Sequence, residues 1–245
     1  MKVCVFTAFH GEYGEFAEIL RASLERAYPE WAWLKPLDCL DHSSIRRFLF
    51  PPAEAMNYDA CFIMDADFVM FQSAPTHENW YMNRMRALKT CYFSTHGPWR
   101  KPDRFPGGWK GDKERIAGGM VMITPEWMEK TAVERKILGG MLHSGFIGGQ
   151  YREEDEVILC GLCKKMGLPM PVEKLFPAEL RGIHLGDFKP SMRHRWTDTQ
   201  KMKTRIFRPY VMQYREFMKS IPLVKNGFVR GCLENVESFF KVAGW

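Results

Sequence analysis

Strand-like and helix-like spacings of apolar residues alternate along most of the chain. Residues 2–9 form a short apolar run typical of a buried strand, and residues 16–27 then repeat apolar positions every three or four residues, as an amphipathic helix does. Pro29 ends that helix. The same criteria predict further strands at 31–37, 60–64, 68–71, 90–94 and 120–124, and further helices at 43–50, 79–88, 125–136 and 153–166. This alternation predicts an α/β fold, with a mainly parallel central sheet flanked by helices.

The pattern changes after Pro190, where the sequence becomes helical, basic and aromatic. We therefore expect an α/β domain at 1–190 and a basic helical extension at 191–245 that packs on it. A chain of 245 residues that is 46% hydrophobic and 26% charged can bury a full core of this kind.

Several features indicate the cellular compartment. The first residues enter a short apolar run without the pattern of a secretion signal, and no stretch approaches the roughly 18 uninterrupted apolar residues of a membrane-spanning helix. The seven cysteines are an odd set, and several lie in apolar runs where a small hydrophobic residue would serve. Cys160 and Cys163 lack the second ligand pair of a zinc site, so we interpret them as core-facing helix residues. We expect a cytoplasmic protein without a transmembrane segment.

Two aspartates separated by one residue follow the predicted strand at 60–64. Asp65 and Asp67 place carboxylate oxygens at the carboxyl end of this strand, the edge at which open α/β sheets bind their ligands. Such closely spaced carboxylates would repel each other in a partly buried site, and a divalent cation with a diphosphate would remove that repulsion. The pattern favours a cation site, although two surface carboxylates in a turn would have the same spacing.

The segment around this pair resembles the family 8 glycosyltransferases. In that family an arginine-bearing helix and a proline precede the D-x-D strand, as residues 44–51 do here, with Arg47 at the arginine position. The resemblance implies a GT-A (Rossmann-like) fold and a metal-dependent transfer of a hexose or pentose from a nucleotide-diphosphate sugar, most often a UDP-sugar. It also implies that Arg47, Asp65, Ala66 and Asp67 bind the donor.

Two further segments resemble motifs of the same family. Residues 117–123 are similar to its N-A-G-V-M-V-I strand, which implies that Gly118 and Gly119 let the donor sugar approach the backbone closely. The helix that opens around Asp155 resembles the family's acidic D-Q-D helix, which makes Asp155 the first catalytic candidate and Glu154 the second. A carboxylate there could accept the acceptor's proton or bind the donor sugar. The helix dipole alone also favours acidic residues at such a position.

The last resemblance lies at 182–190, which is close to the family's H-x-x-G-x-x-K-P ending. It implies that His184 completes a cation site with the two D-x-D aspartates, for Mn²⁺ or Mg²⁺. It also implies that Gly186 and Lys189 bind the donor, with Lys189 neutralising diphosphate oxygens as the sugar leaves. The loop after the first strand would hold the nucleotide base and ribose, through Thr7, Ala8 and Phe9.

The positive charge of the chain is concentrated in one region. Residues 189–215 contain eight Lys and Arg against one Asp, so the remainder of a chain of net charge +6 is close to neutral. Aromatic residues are interleaved with this region and with a second basic loop at 99–110. Such surfaces attract polyanions, which makes the acceptor or its surroundings a candidate partner.

Three interpretations of the basic region stay open. An anionic membrane surface would suit a peripheral enzyme that extends a glycolipid or polysaccharide. DNA would suit a phage-type enzyme that glycosylates hydroxymethylated bases in the host cytoplasm. A solvated basic helix would only assist donor binding. The habits of the family favour the glycolipid or polysaccharide.

Functions of another class use similar residues. A nucleotidyltransferase also places a metal-bound carboxylate pair on an α/β sheet, and a non-catalytic protein could bind a nucleotide sugar. A nucleotidyltransferase usually has a glycine-rich phosphate loop near its first strand. Residues 7–12 of this chain contain only one glycine, Gly11. This difference favours the glycosyltransferase.

Overall fold

A computed structural model describes the chain at 1–41, 43–72, 76–94, 119–143, 155–169, 182–189, 208–221 and 223–245. Five predicted features lie wholly or largely outside these ranges, namely Glu154, Gly118, the basic loop at 99–110, the basic region at 189–215 and the boundary after residue 190. The division into domains at 1–190 and 191–245 therefore stays a prediction.

The chain divides into two compact units, each made of three segments. The first unit comprises Met1–His10, Ala32–Asp65 and Glu78–Phe176, and the second unit comprises Gly11–Trp31, Ala66–His77 and Pro177–Trp245. The strands are β1 (Val3–Phe9), β2 (Ala32–Trp33), β3 (Leu37–Asp38), β4 (Ala60–Met64), β5 (Phe68–Val69), β6 (Tyr92–Ser94), β7 (Met120–Ile123) and β8 (Ile183–His184). The α-helices are α1 (Tyr13–Ala27), α2 (Ser43–Leu49), α3 (His77–Leu88), α4 (Pro125–His143), α5 (Asp155–Lys165), α6 (Val211–Ser220) and α7 (Gly227–Val242). Short 3-10 helices lie at Ala53–Asn57, Leu185–Phe188 and Arg208–Tyr210.

The first unit contains the central sheet. Its strands are ordered β2-β1-β4-β7-β6, with β3 also paired to β1. The three partners of β1 run parallel to it, while β7 runs antiparallel to β4 and β6. The β-branched and aromatic residues of β1 are buried along nearly the whole strand, as expected for a strand covered on both faces.

Helices cover both faces of this sheet within the first unit. Successive residues of β4 point to opposite faces. Ile63 packs with α2, α4 and α5 in a buried core that includes Trp127. Phe62, on the other face, meets Tyr81 of α3 edge to face, with 5.1 Å between ring centroids. The predicted α/β fold, with a mainly parallel sheet flanked by helices, is confirmed.

The second unit combines helices with a small sheet. β5 and β8 pair antiparallel, and α1 packs against both β5 and α7. Gly182, just before β8, has a φ of +55°, and a Cβ at this position would lie 2.2 Å from the carbonyl oxygen of Val69. Only glycine accommodates both constraints, so Gly182 permits the close pairing of β8 with β5. Asn226 caps α7 by accepting hydrogen bonds from two amides of its first turn.

Predicted and observed elements differ mainly at their ends. The strand predicted at 31–37 is divided into β2 and β3, because Pro36 has no N–H to continue the ladder. α4 continues past its predicted end at 136, although Gly139 lies in its path. A Cβ at Gly139 would lie 2.8 Å from the ring of Phe50, so this glycine packs against α2's end rather than ending α4.

Candidate functional site

Asp67, His184 and Lys189 form a polar group in the second unit, the histidine cluster. The pairing of β5 with β8 sets Phe68 opposite His184, which brings the imidazole next to Asp67. His184 Nε2 lies 2.9 Å from Asp67 Oδ1, and Lys189 Nζ lies 3.8 Å from Asp67 Oδ2. The N–H of Leu185 donates to the carbonyl oxygen of Asp67 at 2.7 Å, which fixes the two backbone segments together.

The charges of the histidine cluster balance one another. Burial raises the pKa of Asp67, but attraction to His184 and Lys189 outweighs burial, and this pKa is lowered from its usual value. Burial lowers the pKa of His184, but attraction to Asp67 and Asp187 outweighs it, and this pKa is raised well above its ordinary value. The cluster thus sets a buried carboxylate, 6% exposed, against two positive groups.

Gly186 packs closely against the carboxylate and the imidazole. A Cβ at this position would lie 2.5 Å from Asp67 Oδ2 and 3.0 Å from His184 Nε2. Any larger residue would clash with both groups unless they moved. The absence of a side chain at Gly186 therefore permits the carboxylate and the imidazole to pack directly against this backbone segment.

Arg47, Asp65 and Asp155 form a second polar group, the arginine cluster, in the first unit. Arg47 Nη1 donates to Asp65 Oδ1, and Nη2 donates to Asp155 Oδ2 at 2.6 Å. The side chain of Arg47 is 1% exposed, against 26% for Asp65 and 13% for Asp155. The packing of α2 against α5 brings these residues together, although Arg47 and Asp155 are 108 positions apart in sequence.

Both charge and packing hold Arg47 in place. Burial lowers the pKa of Arg47, but attraction to Asp65 and Asp155 outweighs it, so the pKa is raised and the guanidinium stays charged. The guanidinium carbon lies 4.8 Å from the ring centroid of Phe48. Nε is buried and has no hydrogen-bond partner among the described residues. Among the described residues, the hydrogen bonds of this side chain are thus made by its two terminal nitrogens.

The residues present suit a divalent cation. Asp67 and His184 supply a carboxylate oxygen and an imidazole nitrogen within the second unit, and Asp65 supplies another carboxylate two positions earlier in the chain. The N–H of Asp65 donates to the carbonyl oxygen of Gly119 at 2.8 Å, which extends the β4–β7 pairing up to the D-x-D segment. Carboxylate oxygens and an imidazole nitrogen are ligand types that a metal ion of the Mn²⁺ or Mg²⁺ kind accepts.

The remaining predicted donor residues lie at the end of β1 and in the D-x-D turn. Thr7 is fully buried, and its hydroxyl donates to the carbonyl oxygen of Met64 at 2.8 Å. Ala8 and Ala66 are buried, and Phe9 is half-buried. The Thr7 side chain thus ties β1 to β4, and any contact of these residues with a donor stays a prediction.

Two residues next to the histidine cluster were missed by the sequence analysis. Tyr13, at the start of α1, has its ring centroid 5.1 Å from Lys189 Nζ. Asp187 Oδ2 lies 3.8 Å from His184 Nδ1. Asp187 could have been found from its i,i+3 spacing to His184, whereas nothing in the sequence connects Tyr13 to Lys189.

Other features lie apart from these clusters. All seven cysteines are free and buried, and the prediction that Cys160 and Cys163 face the core is confirmed. In the part of the chain that the structure describes, no helix has the length and apolar character to cross a membrane. A cavity of about 550 Å³ in the second unit is lined by Arg26, Gln72, Gln213 and apolar neighbours, without any of the described predicted site residues.

Sequence comparisons with known proteins identify no family for this chain. No protein-family model matches the chain, and no curated protein matches it either. Among solved structures, the glycosyltransferase GlyE of Streptococcus pneumoniae TIGR4 aligns over 99% of this chain and 64% of its own, at 12% identity and a TM-score of 0.45. The apo form of GlyE aligns over 93% and 53%, at 13% identity and a TM-score of 0.42.

The galactosyltransferase LgtC, in complex with donor and acceptor sugar analogues, aligns over 94% of this chain and 99% of its own, at 14% identity and a TM-score of 0.37. The chain thus spans between about half and two thirds of the length of GlyE. Similarity at this level carries no conclusion about activity, so the function has to follow from the residues of this chain.

Proposed function

We propose that this protein is a metal-dependent glycosyltransferase of the GT-A type, which transfers a sugar from a nucleotide-diphosphate donor, a UDP-sugar, to an acceptor hydroxyl. The observation that carries the proposal is the histidine cluster. A buried carboxylate from a D-x-D segment lies beside an imidazole and a lysine, with Gly186 packed directly against the carboxylate and the imidazole. This combination suits a cation and the diphosphate that it neutralises.

Asp65, Asp67 and His184 are the proposed ligands of the cation, Mn²⁺ or Mg²⁺. When bound, the cation supplies positive charge against the diphosphate oxygens. Lys189 is the proposed second source of positive charge for the leaving diphosphate, because its ammonium already lies 3.8 Å from Asp67. Displacement of its contact with Asp67 by a cation would leave Lys189 to pair with the donor.

Asp155 is the proposed catalytic residue, with Glu154 as the alternative. Asp155 is the first residue of α5, and its carboxylate accepts a hydrogen bond from Arg47. An ionised carboxylate can accept the proton of the acceptor hydroxyl or interact with the donor sugar. Thr7, Ala8, Phe9, Ala66, Gly118 and Gly119 are proposed to complete the donor site.

The donor can be tested without knowledge of the acceptor. A panel of nucleotide sugars with Mn²⁺ should contain one that raises the melting temperature of the wild-type protein by several degrees, because a ligand at 100 times its Kd stabilises a fold by about 2.7 kcal/mol. Asp67→Asn is the matched control and should lose this rise. Stabilisation by nucleoside triphosphates alone, with release of pyrophosphate, would contradict the proposal and indicate a nucleotidyltransferase.

The proposed acceptor is a glycolipid or polysaccharide, approached through the basic region at 189–215. Its positive charge should bind vesicles that contain anionic lipid, with each charge worth about 1 kcal/mol near the surface. Changing Lys201, Lys203 and Arg205 together to Ala should abolish sedimentation with such vesicles. Changing three exposed lysines elsewhere to Ala gives a control of equal net charge, for which Lys35, Lys130 and Lys136 are suitable.

DNA is the alternative acceptor, and the same protein distinguishes it. Binding to duplex DNA that weakens steeply with salt, with a slope flattened by the triple change at 201, 203 and 205, would overturn the glycolipid proposal in favour of DNA. Binding to neither ligand at moderate salt would overturn both, and leave the basic region as a solvated surface.

A further inference from the structure

We propose that Arg47 is a positioning residue, which holds Asp65 and Asp155 in one fixed arrangement and does not itself bind the donor. The inference rests on the proposed function for the roles of these two carboxylates. It replaces the donor contact that the sequence resemblance implied for Arg47.

Both terminal nitrogens of Arg47 already donate hydrogen bonds to carboxylates, which disfavours a contact with a nucleotide-sugar donor. Each terminal nitrogen donates to a carboxylate, one following β4 and the other beginning α5. A guanidinium presents its donors in a rigid fork, so two such charge-assisted bonds fix both carboxylates relative to one plane. Reaching a phosphate would break at least one of these charge-assisted bonds to a partly buried carboxylate, which is costly.

The burial of Arg47 supports the same role. Its side chain is 1% exposed, and it packs on the ring of Phe48 in the same helix. A residue that binds an exchangeable ligand needs an accessible surface, whereas a residue that orients other side chains benefits from packing that locks its rotamer. Partners that orient metal ligands typically change metal affinity or activity about 10- to 100-fold when they are altered.

Arg46 provides a matched control on the same helix. Its guanidinium also donates twice to a carboxylate, but the partner is Asp41, whose side chain is 54% exposed. Exposed ion pairs contribute little to stability. Arg46→Lys therefore reproduces the chemical change of Arg47→Lys at a position that contacts neither Asp65 nor Asp155.

The test measures Mn²⁺ binding to the full chain in the absence of any donor, by the loss of the free Mn²⁺ signal in electron paramagnetic resonance. Lysine keeps the charge but is shorter and lacks the planar two-nitrogen fork, so Arg47→Lys should raise the Kd for Mn²⁺ about 10-fold, while Arg46→Lys stays within about twofold of the wild type. A residue that only contacts the donor would not affect Mn²⁺ binding under these conditions. An unchanged Kd in Arg47→Lys overturns the inference.

Arg47→Gln gives a second test should the lysine variant not fold. Removing a positive charge next to a proposed cation ligand would by itself tighten Mn²⁺ binding. Weaker binding in Arg47→Gln therefore supports the loss of positioning, whereas unchanged or tighter binding overturns the inference. Wild-type protein that binds no Mn²⁺ overturns the metal site of the proposed function as well, whereas Mn²⁺ binding without sugar transfer overturns the proposed function alone.

Discussion

The two aspartates of the D-x-D segment lie only one residue apart, yet they have different surroundings. Asp65 ends the second segment of the first unit and accepts a hydrogen bond from the buried guanidinium of Arg47. Asp67 belongs to the second unit and lies beside the imidazole of His184 and the ammonium of Lys189. The arginine cluster therefore uses a permanent charge, whereas the histidine cluster uses a group that can lose its proton.

This difference indicates a division of labour between the two clusters. A guanidinium stays protonated in proteins. Arg47 can therefore fix the positions of Asp65 and Asp155, but it does not give up its positive charge. An imidazole can release its proton and present a nitrogen lone pair, and an ammonium on a flexible stem can change partners. The histidine cluster is thus suited to binding, and the arginine cluster is suited to orientation.

Asp67→Asn breaks the histidine cluster and should have the largest effect. An amide can still accept a hydrogen bond from His184, so the fold should be retained, although losing the charge that balances His184 and Lys189 should lower the melting temperature. Losing a proposed cation ligand should lower turnover at least about 100-fold, the upper range for residues that merely support metal ligands. Turnover is measured with the donor identified in the stabilisation screen.

Asp59→Asn is the control for this change. Asp59 precedes β4, accepts a hydrogen bond from the N–H of Lys2 at 2.6 Å, and belongs to neither cluster. It should leave turnover unchanged. Full turnover in Asp67→Asn, or wild-type turnover that persists in the presence of a chelator, would contradict the proposed cation site.

Asp155→Asn acts on the arginine cluster and should have the next largest effect. The amide keeps an oxygen that can accept from Arg47, but it cannot take up a proton. A group that acts in the transition state contributes about 100-fold or more to kcat, so kcat should fall much further than the donor KM rises. Steady-state kinetics over a range of donor concentrations separate the two. An unchanged kcat would move the catalytic role to Glu154 or Glu156.

Gly186→Ala disturbs the histidine cluster without removing any of its groups, and should have the smallest effect. The new Cβ would lie 2.5 Å from Asp67 Oδ2, so the carboxylate has to move. We expect the Kd for Mn²⁺ to rise about 10-fold, as for other changes that misplace a ligand. The free energy of unfolding should change little, because the displaced atoms are at the ends of side chains.

Gly231→Ala is the control for this substitution. It lies within α7, where a Cβ would meet nothing within 4 Å. Replacing a glycine inside a helix should stabilise the protein by about 0.5–1 kcal/mol and leave Mn²⁺ binding unchanged. If Gly186→Ala binds Mn²⁺ as tightly as the wild type, the position of Asp67 Oδ2 does not govern cation binding.

The sequence alone determined the elements and the chemistry of single segments. The apolar run at 60–64 predicted β4 with its observed bounds, and the spacing of Asp65 and Asp67 placed two carboxylates at the end of that strand. Apolar periodicity shows which side of a helix or strand is buried, because it depends on residues close in sequence. The α/β fold and the core positions of Cys160 and Cys163 followed from such local patterns.

Only the tertiary structure decided how these segments combine. Arg47 and Asp155 meet because α2 packs against α5, and Gly186 lies beside Asp67 because β8 pairs with β5. Neither contact can be predicted from neighbouring residues in the sequence. An arginine on a helix surface and an arginine between two partly buried carboxylates have the same local sequence pattern. Side chains far apart in the chain become neighbours only through the packing of the elements that carry them, and that packing depends on the whole set of buried contacts.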